Sequence, residues 1–140
     1  MNNSVTYHKA IKAATSNLAE IRSFVAKHAH EHGFSERQIS DIQLAVDEAC
    51  TNIIKHAYSF DSTKKFTIEL EFDGSQLSIT LTDRGQGFNP DRYKKPDLKK
   101  QIEKKKRGGM GVYLIKSLMD DVSYSANTDK NVLRMSKTRV

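Results

Sequence analysis

Three stretches of this chain have residue types and spacings suited to chemistry. Glu48 and Asn52 stand at i and i+4, which on a helix sets a carboxylate and a carboxamide one turn apart on the same side. One oxygen there can take a proton and the other can bind a hard cation. Mg²⁺ takes few protein oxygens and otherwise keeps waters and substrate phosphates, so a single Asn carbonyl suits it. The pair also fits an ordinary polar helix flank.

The second stretch is Asp83-Arg84-Gly85-Gln86-Gly87-Phe88-Asn89-Pro90. Asp83 shares the parity of Leu77, Ile79 and Leu81 and therefore points toward the core face at a strand's end. An inward carboxylate is costly unless it meets a donor; the exocyclic amine of a purine is one. Gly85 and Gly87 permit close backbone approach to a flat ligand, positive φ, or both. A plain turn capped by Asp83 is the simpler reading of the same residues.

The third stretch, Arg107-Gly108-Gly109-Met110-Gly111-Val112, runs straight into an apolar-periodic segment, Tyr113 to Met119. Glycines at a helix start expose N–H groups, and the helix dipole favours an anion there. Just upstream, Arg92 to Arg107 holds nine basic and two acidic residues. That charge suits a polyphosphate, or else a solvated loop. The Gly-Lys-Ser/Thr phosphate loop is absent, as is a G-x-G-x-x-G after the first strand.

The elements that must carry these residues follow from periodicity. Val5 to Ala10 alternates loosely as a first strand. Asn17-Leu18-Ala19-Glu20 reads as a capping box, followed by Leu18, Ile21, Val25 and Ala29 at helical spacing and Gly33 as the stop. Ser35-Glu36-Arg37-Gln38 is a second capping box, opening a helix to about Ala57. Its apolar arc holds Ile42, Ala45, Val46, Ala49, Cys50, Ile53, Ile54 and Ala57. Lys64 to Asp73 alternates cleanly, Asp73-Gly74 marks a hairpin, and Leu77, Ile79 and Leu81 face inward on the returning strand. A helix from about Met110 to Met119 and strands at 122–126 and 132–137 complete an α+β fold. It is expected to be a two-layer α/β sandwich, with helices on one face of a mainly antiparallel mixed sheet.

At 140 residues the chain reads as a single domain, residues 1–140. It has no run of about 18 apolar residues that would cross a membrane and no secretory signal layout at its start. A single cysteine excludes an internal disulfide framework and points to a reducing cytoplasm. The net charge of +6 lies entirely in the Arg92–Arg107 segment, since the rest of the chain has fourteen basic against fifteen acidic residues. Direct nucleic-acid binding by a generally basic surface is thereby disfavoured.

Taken together, Glu48-x-x-x-Asn52, Asp83-x-Gly85-x-Gly87 and Gly109-x-Gly111 resemble the Bergerat-fold (GHKL, histidine-kinase-like) ATPases. The strings Asp47-Glu48-Ala49-Cys50-Thr51-Asn52, His56-Ala57-Tyr58 and Leu114-Ile115-Lys116-Ser117-Leu118-Met119-Asp120 are similar to those of the bacterial anti-sigma-factor serine/threonine kinases. The resemblance implies an ATP- and Mg²⁺-dependent protein serine kinase in a partner switch. Glu48 would be the general base, Asn52 the Mg²⁺ ligand, and Asp83 the acceptor for the adenine amino group. Gly85 and Gly87 would shape the adenine pocket, and Gly109, Met110, Gly111 and Val112 would hold phosphates. Residues 89–108 would form a basic lid with Arg107 as a phosphate contact. A sigma factor, a STAS-type anti-anti-sigma protein and a homodimer are partners that the family implies. One departure stands out: the family often has Gly-Thr entering the last strand, where this chain has Lys130-Asn131.

An ATP-binding regulatory module without phosphotransfer is the alternative, and the presence of Glu48 argues for the kinase. About fifteen residues precede the first helix, too few for the phosphoacceptor hairpin of a histidine kinase. His28 and His32 share a helix face but lack a completing Cys or Glu ligand. Cys50 lies in the apolar arc and reads as a core residue.

Overall fold

A computed structural model of the chain describes residues 4–85, 114–127 and 129–140. Strand β1 (Val5–Lys12) leads through a 3₁₀ turn at Thr15–Asn17 into helix α1 (Leu18–Glu31). Helix α2 (Glu36–Asn52) follows and continues as a π-turn, Ile53–Ala57. Strands β2 (Lys65–Asp73) and β3 (Gln76–Asp83) form a hairpin. Residues 114–118 are helical, and β4 (Asp121–Ala126) and β5 (Asn131–Thr138) close the sheet. The strand order is β1-β2-β3-β5-β4, and all four described ladders are antiparallel.

The inward faces match the period-2 and helical patterns. Phe66, Ile68, Leu70, Phe72, Leu77, Ile79 and Leu81 from the sheet are buried against Ile21, Val25 and Ala29 of α1 and Ile42, Val46 and Ala49 of α2. At about 1.5–3 kcal/mol for each fully buried large apolar side chain, this layer is the main source of stability. The outer face of the sheet carries Glu69 beside the His8 ring at 3.3 Å and Glu71 paired with Arg134 at 3.7 Å. Such solvent-facing pairs contribute little.

Helix ends show which local signals are sufficient. The Ser35 hydroxyl accepts from Gln38 N (3.2 Å) while Ser35 N donates to Gln38 Oε1 (3.3 Å), a complete capping box. Gly33 takes φ +85, with Gly33 N bonding His30 O and Phe34 N bonding Ala29 O, so α1 ends in a Schellman motif. The expected box at Asn17 does not form. A 3₁₀ turn precedes α1 and gives Asn17 a helical backbone (φ −92, ψ −3), so its side chain turns back and donates to Lys12 O. Glu20 instead pairs with Lys9 at 2.7 Å. The hairpin loop is Gly74-Ser75, one residue later than expected, because Asp73 is still paired with Gln76 and Gly74 supplies the left-handed φ of +61.

Candidate functional site

The turn that continues α2 and the residues that follow β3 come together at one corner of the sandwich, where Ala57 and Tyr58 lie against Gly85. Glu48 and Asn52 lie half-buried along the flank of α2, beside its fully buried stripe of Ala45, Ala49 and Ile53. The adjacent acid, Asp47, is engaged elsewhere: Arg22 Nη1 donates to both of its carboxylate oxygens (2.9 and 3.1 Å). Of the two consecutive carboxylates, Asp47 is thus the one held in an ion pair.

Beyond Asn52 the helix widens. Tyr58 N bonds Ile53 O at 3.0 Å, five residues back, and Phe60 N reaches Ile54 O at 2.8 Å. Ser59 and Phe60 then take left-handed φ values of 48 and 65, uncommon for residues with a Cβ, which reverses the chain toward β2. π-turns are rare and concentrate at functional sites. Here the widening sets the Ala57 carbonyl against Gly85: a Cβ built on Gly85 would lie 2.2 Å from Ala57 O and 2.8 Å from the Tyr58 ring. The requirement at Gly85 is close backbone approach, not positive φ.

Tyr58 fastens the same corner. Its buried hydroxyl donates to Lys65 O (2.7 Å) and accepts from Arg84 N (2.8 Å), so a single phenol ties the start of β2 to the residue after Asp83.

Asp83 is 6% exposed and points inward, as its parity required. Its donors come from the protein itself. Gly85 N donates to Oδ1 at 2.9 Å, and Asn131 Nδ2, from the start of β5, donates to the same oxygen at 2.9 Å. Asn131 also donates to Gly85 O at 2.9 Å. Among the described residues, both hydrogen bonds to the carboxylate fall on Oδ1 and neither engages Oδ2. A buried acceptor with one oxygen held in place is suited to receive an N–H from a ligand.

Gly87, Arg107, Gly109, Met110, Gly111, Val112 and the 89–108 lid lie outside the described residues. The segment that follows them is anchored: Ile115 and Met119 are buried, and Thr138 N donates to Asp120 Oδ2 at 2.7 Å. Sequence reasoning missed Tyr58 and Asn131 as residues that hold the site. Tyr58 closes the His56-Ala57-Tyr58 string, and Asn131 sits at the departure from Gly-Thr, so each had a signal but no visible partner.

Cys50 is fully buried on α2, and burial, reinforced by the charge of Asp47, pushes its thiol far above the ordinary range. A thiol held neutral in the core is no nucleophile. His28 and His32 are packed among rings: His28 stacks on Tyr7 at 3.6 Å and His32 on Phe72 at 4.0 Å. No helix among the described residues is long and apolar enough to cross a membrane.

Comparison with known proteins agrees with this fold. The profile of the histidine kinase-like ATPase domain matches residues 11–137. A serine-protein kinase RsbW of Halalkalibacterium halodurans is 34% identical over 136 residues, covering 94% of this chain and 82% of the relative. Another, from Bacillus cereus, is 35% identical over 127 residues, covering 88% and 79%. Among solved structures, the RsbU and RsbW domains of a Mycobacterium tuberculosis protein superpose with a TM-score of 0.70 at 16% identity, over 96% of this chain and 32% of that one. The SiaB–SiaC complex of Pseudomonas aeruginosa gives 0.65 at 15% identity, over 94% and 88%. At those identities the two structures speak for the fold.

Proposed function

The chain belongs to the histidine kinase-like ATPase family, and from that premise we propose how its residues divide the work of an ATP-dependent serine-protein kinase and anti-sigma factor. The kinase assignment follows from relatives of that name that match most of both chains. Its phosphoacceptor is a serine of a small STAS-type anti-anti-sigma protein, and a sigma factor is the partner it holds and releases. The active species is a homodimer working in the cytoplasm.

One observation supports this division most strongly. The helix carrying Glu48 and Asn52 continues into the π-turn whose Ala57 carbonyl abuts Gly85, two residues from buried Asp83. In this reading the proton acceptor and the base acceptor sit on elements joined by that contact, and phosphoryl transfer depends chiefly on positioning and on charge neutralisation. Asp83 accepts the adenine amino group, with Gly85 and Gly87 beside the ring. Asn52 offers its amide oxygen to Mg²⁺, which neutralises charge on the phosphates when bound. Glu48 accepts the proton of the attacking serine hydroxyl. Amides of Gly109 to Val112 and the guanidinium of Arg107 hold the phosphates.

The test is incubation with Mg-ATP and a candidate anti-anti-sigma protein from the neighbouring genes, followed by phosphoserine mapping. Glu48→Gln keeps the shape and loses the base. It is expected to bind ATP with unchanged affinity in calorimetry while transfer falls by about 10²–10⁴-fold. Undiminished transfer in that variant would remove Glu48 from its role. ATP binding without transfer in the unaltered chain would leave a nucleotide-dependent regulatory module.

A further inference from the structure

Asn131 occupies the first position of β5, directly opposite Asp83 in the ladder with β3, and is only 4% exposed. Its Nδ2 lies 2.9 Å from Asp83 Oδ1 and 2.9 Å from Gly85 O. A carboxylate and a carbonyl are both acceptors, so the end of the amide that faces them has to be the nitrogen, with each of its two hydrogens assigned. The hairpin before it is prepared for this placement. Asn127 Oδ1 accepts from Asp129 N and Lys130 N (3.1 and 3.0 Å), and Asn127 N donates to Lys130 O at 3.0 Å. A single hydroxyl, with one hydrogen, could not donate to both acceptors at once.

We infer that Asn131 is a positioning residue for base recognition, whose amide fixes Asp83 and Gly85 together and so presents Asp83 Oδ2 to a purine 6-amino group. The inference rests on the reading of Asp83 as the base acceptor. Gly85 N and Asn131 Nδ2 together saturate Oδ1 and set the carboxylate's rotation. Oδ2 then meets the ligand as a fixed acceptor, which rewards a donor at position 6 of the purine. Asn131 itself does not contact the base in this scheme.

The experiment is a calorimetric titration of the full chain with Mg-ATP and with purine riboside 5′-triphosphate, which lacks the 6-amino group. The unaltered protein is expected to favour ATP by about tenfold or more, the usual scale of a hydrogen bond to a charged group. In Asn131→Leu that ratio is expected to collapse toward one, because ATP loses more affinity than the desamino nucleotide. A purely structural role would weaken both nucleotides alike and leave the ratio standing, and that result overturns the inference. Asn131→Ala, which removes the amide without adding bulk or charge, serves where the leucine variant does not fold, and the same loss of ratio is expected. If the unaltered protein shows no preference, the reading of Asp83 fails first and this inference with it. A preference that survives both substitutions defeats only Asn131.

Discussion

Polar side chains are packed against the core at both ends of the β2–β3 hairpin, and the two ends treat them differently. Where β3 ends, Asp83, Asn131 and the Tyr58 hydroxyl are joined to one another or to the backbone of Lys65, Arg84 and Gly85 by bonds of 2.7 to 2.9 Å. Each donor there is matched to an oxygen, and the carboxylate keeps one oxygen that these bonds do not use. Where β2 ends, His28, His32, Tyr7, Phe24, Phe34 and Phe72 stack or meet edge-on, with ring separations of 3.6 to 6.1 Å. The Tyr7–His32 hydrogen bond of 3.0 Å is the main directional contact there. His28 Nδ1 lies 3.4 Å from a Glu31 oxygen without hydrogen-bond geometry. Ring packing tolerates a loosely satisfied imidazole because its stability comes from area and dispersion. A ligand-reading corner cannot tolerate such looseness, since its selectivity depends on where single acceptors point.

If that difference is real, substitutions at the first corner must alter nucleotide binding, and those at the second must not. The largest effect is expected for Gly85→Ala. The new methyl would meet the Ala57 carbonyl at 2.2 Å, and backbone cannot swing aside as a flexible side chain can. A cost of about 3 kcal/mol follows from overpacking alone. Thermal unfolding should show a fall on the order of 10 °C, with calorimetric ATP binding lost. An alanine variant with unchanged melting and affinity would mean that the π-turn and the Asp83 loop are not one unit.

Tyr58→Phe comes next. It keeps the buried ring and removes only the hydroxyl, leaving Lys65 O and Arg84 N without their shared partner. An unpaired buried backbone group costs about 1–3 kcal/mol. Urea denaturation should register that loss, and ATP affinity should weaken with it because Arg84 adjoins Asp83. Loss of stability with intact affinity would show that the phenol supports the fold but not the base site.

The first corner was only half legible in the amino-acid sequence, for a physical reason. Parity along β3 suffices to turn Asp83 inward, and the i, i+4 spacing suffices to put Glu48 and Asn52 on one side of α2. Local hydrogen bonding likewise makes the Ser35–Gln38 box readable, since both partners lie three residues apart. Asn131 lies 48 residues from Asp83, and Tyr58 lies 26 from Arg84, so their partners depend on the strand order β3-β5 and on the π-turn. The π-turn itself has no sequence signal comparable to a capping box. Asn17 failed for a related reason: a 3₁₀ turn upstream took its backbone out of the extended conformation a cap needs.

The smallest effect, and the sharpest control, belongs to Tyr7→Phe at the second corner. The substitution retains the ring that stacks on His28 and meets Phe72 edge-on, and removes one hydrogen bond to His32. The site is partly exposed, so water can replace the lost hydroxyl, and about 0.5–1.5 kcal/mol bounds the cost from above. His32 keeps its stacking on Phe72. Equilibrium unfolding should therefore shift only slightly, and ATP affinity should stay within about twofold, because among the described residues no hydrogen bond links this cluster to Asp83 and effects at separated sites add independently. A tenfold loss of nucleotide affinity from this change would couple the two ends of the hairpin. Selectivity would then belong to the whole sheet rather than to the junction of β3, β5 and the π-turn.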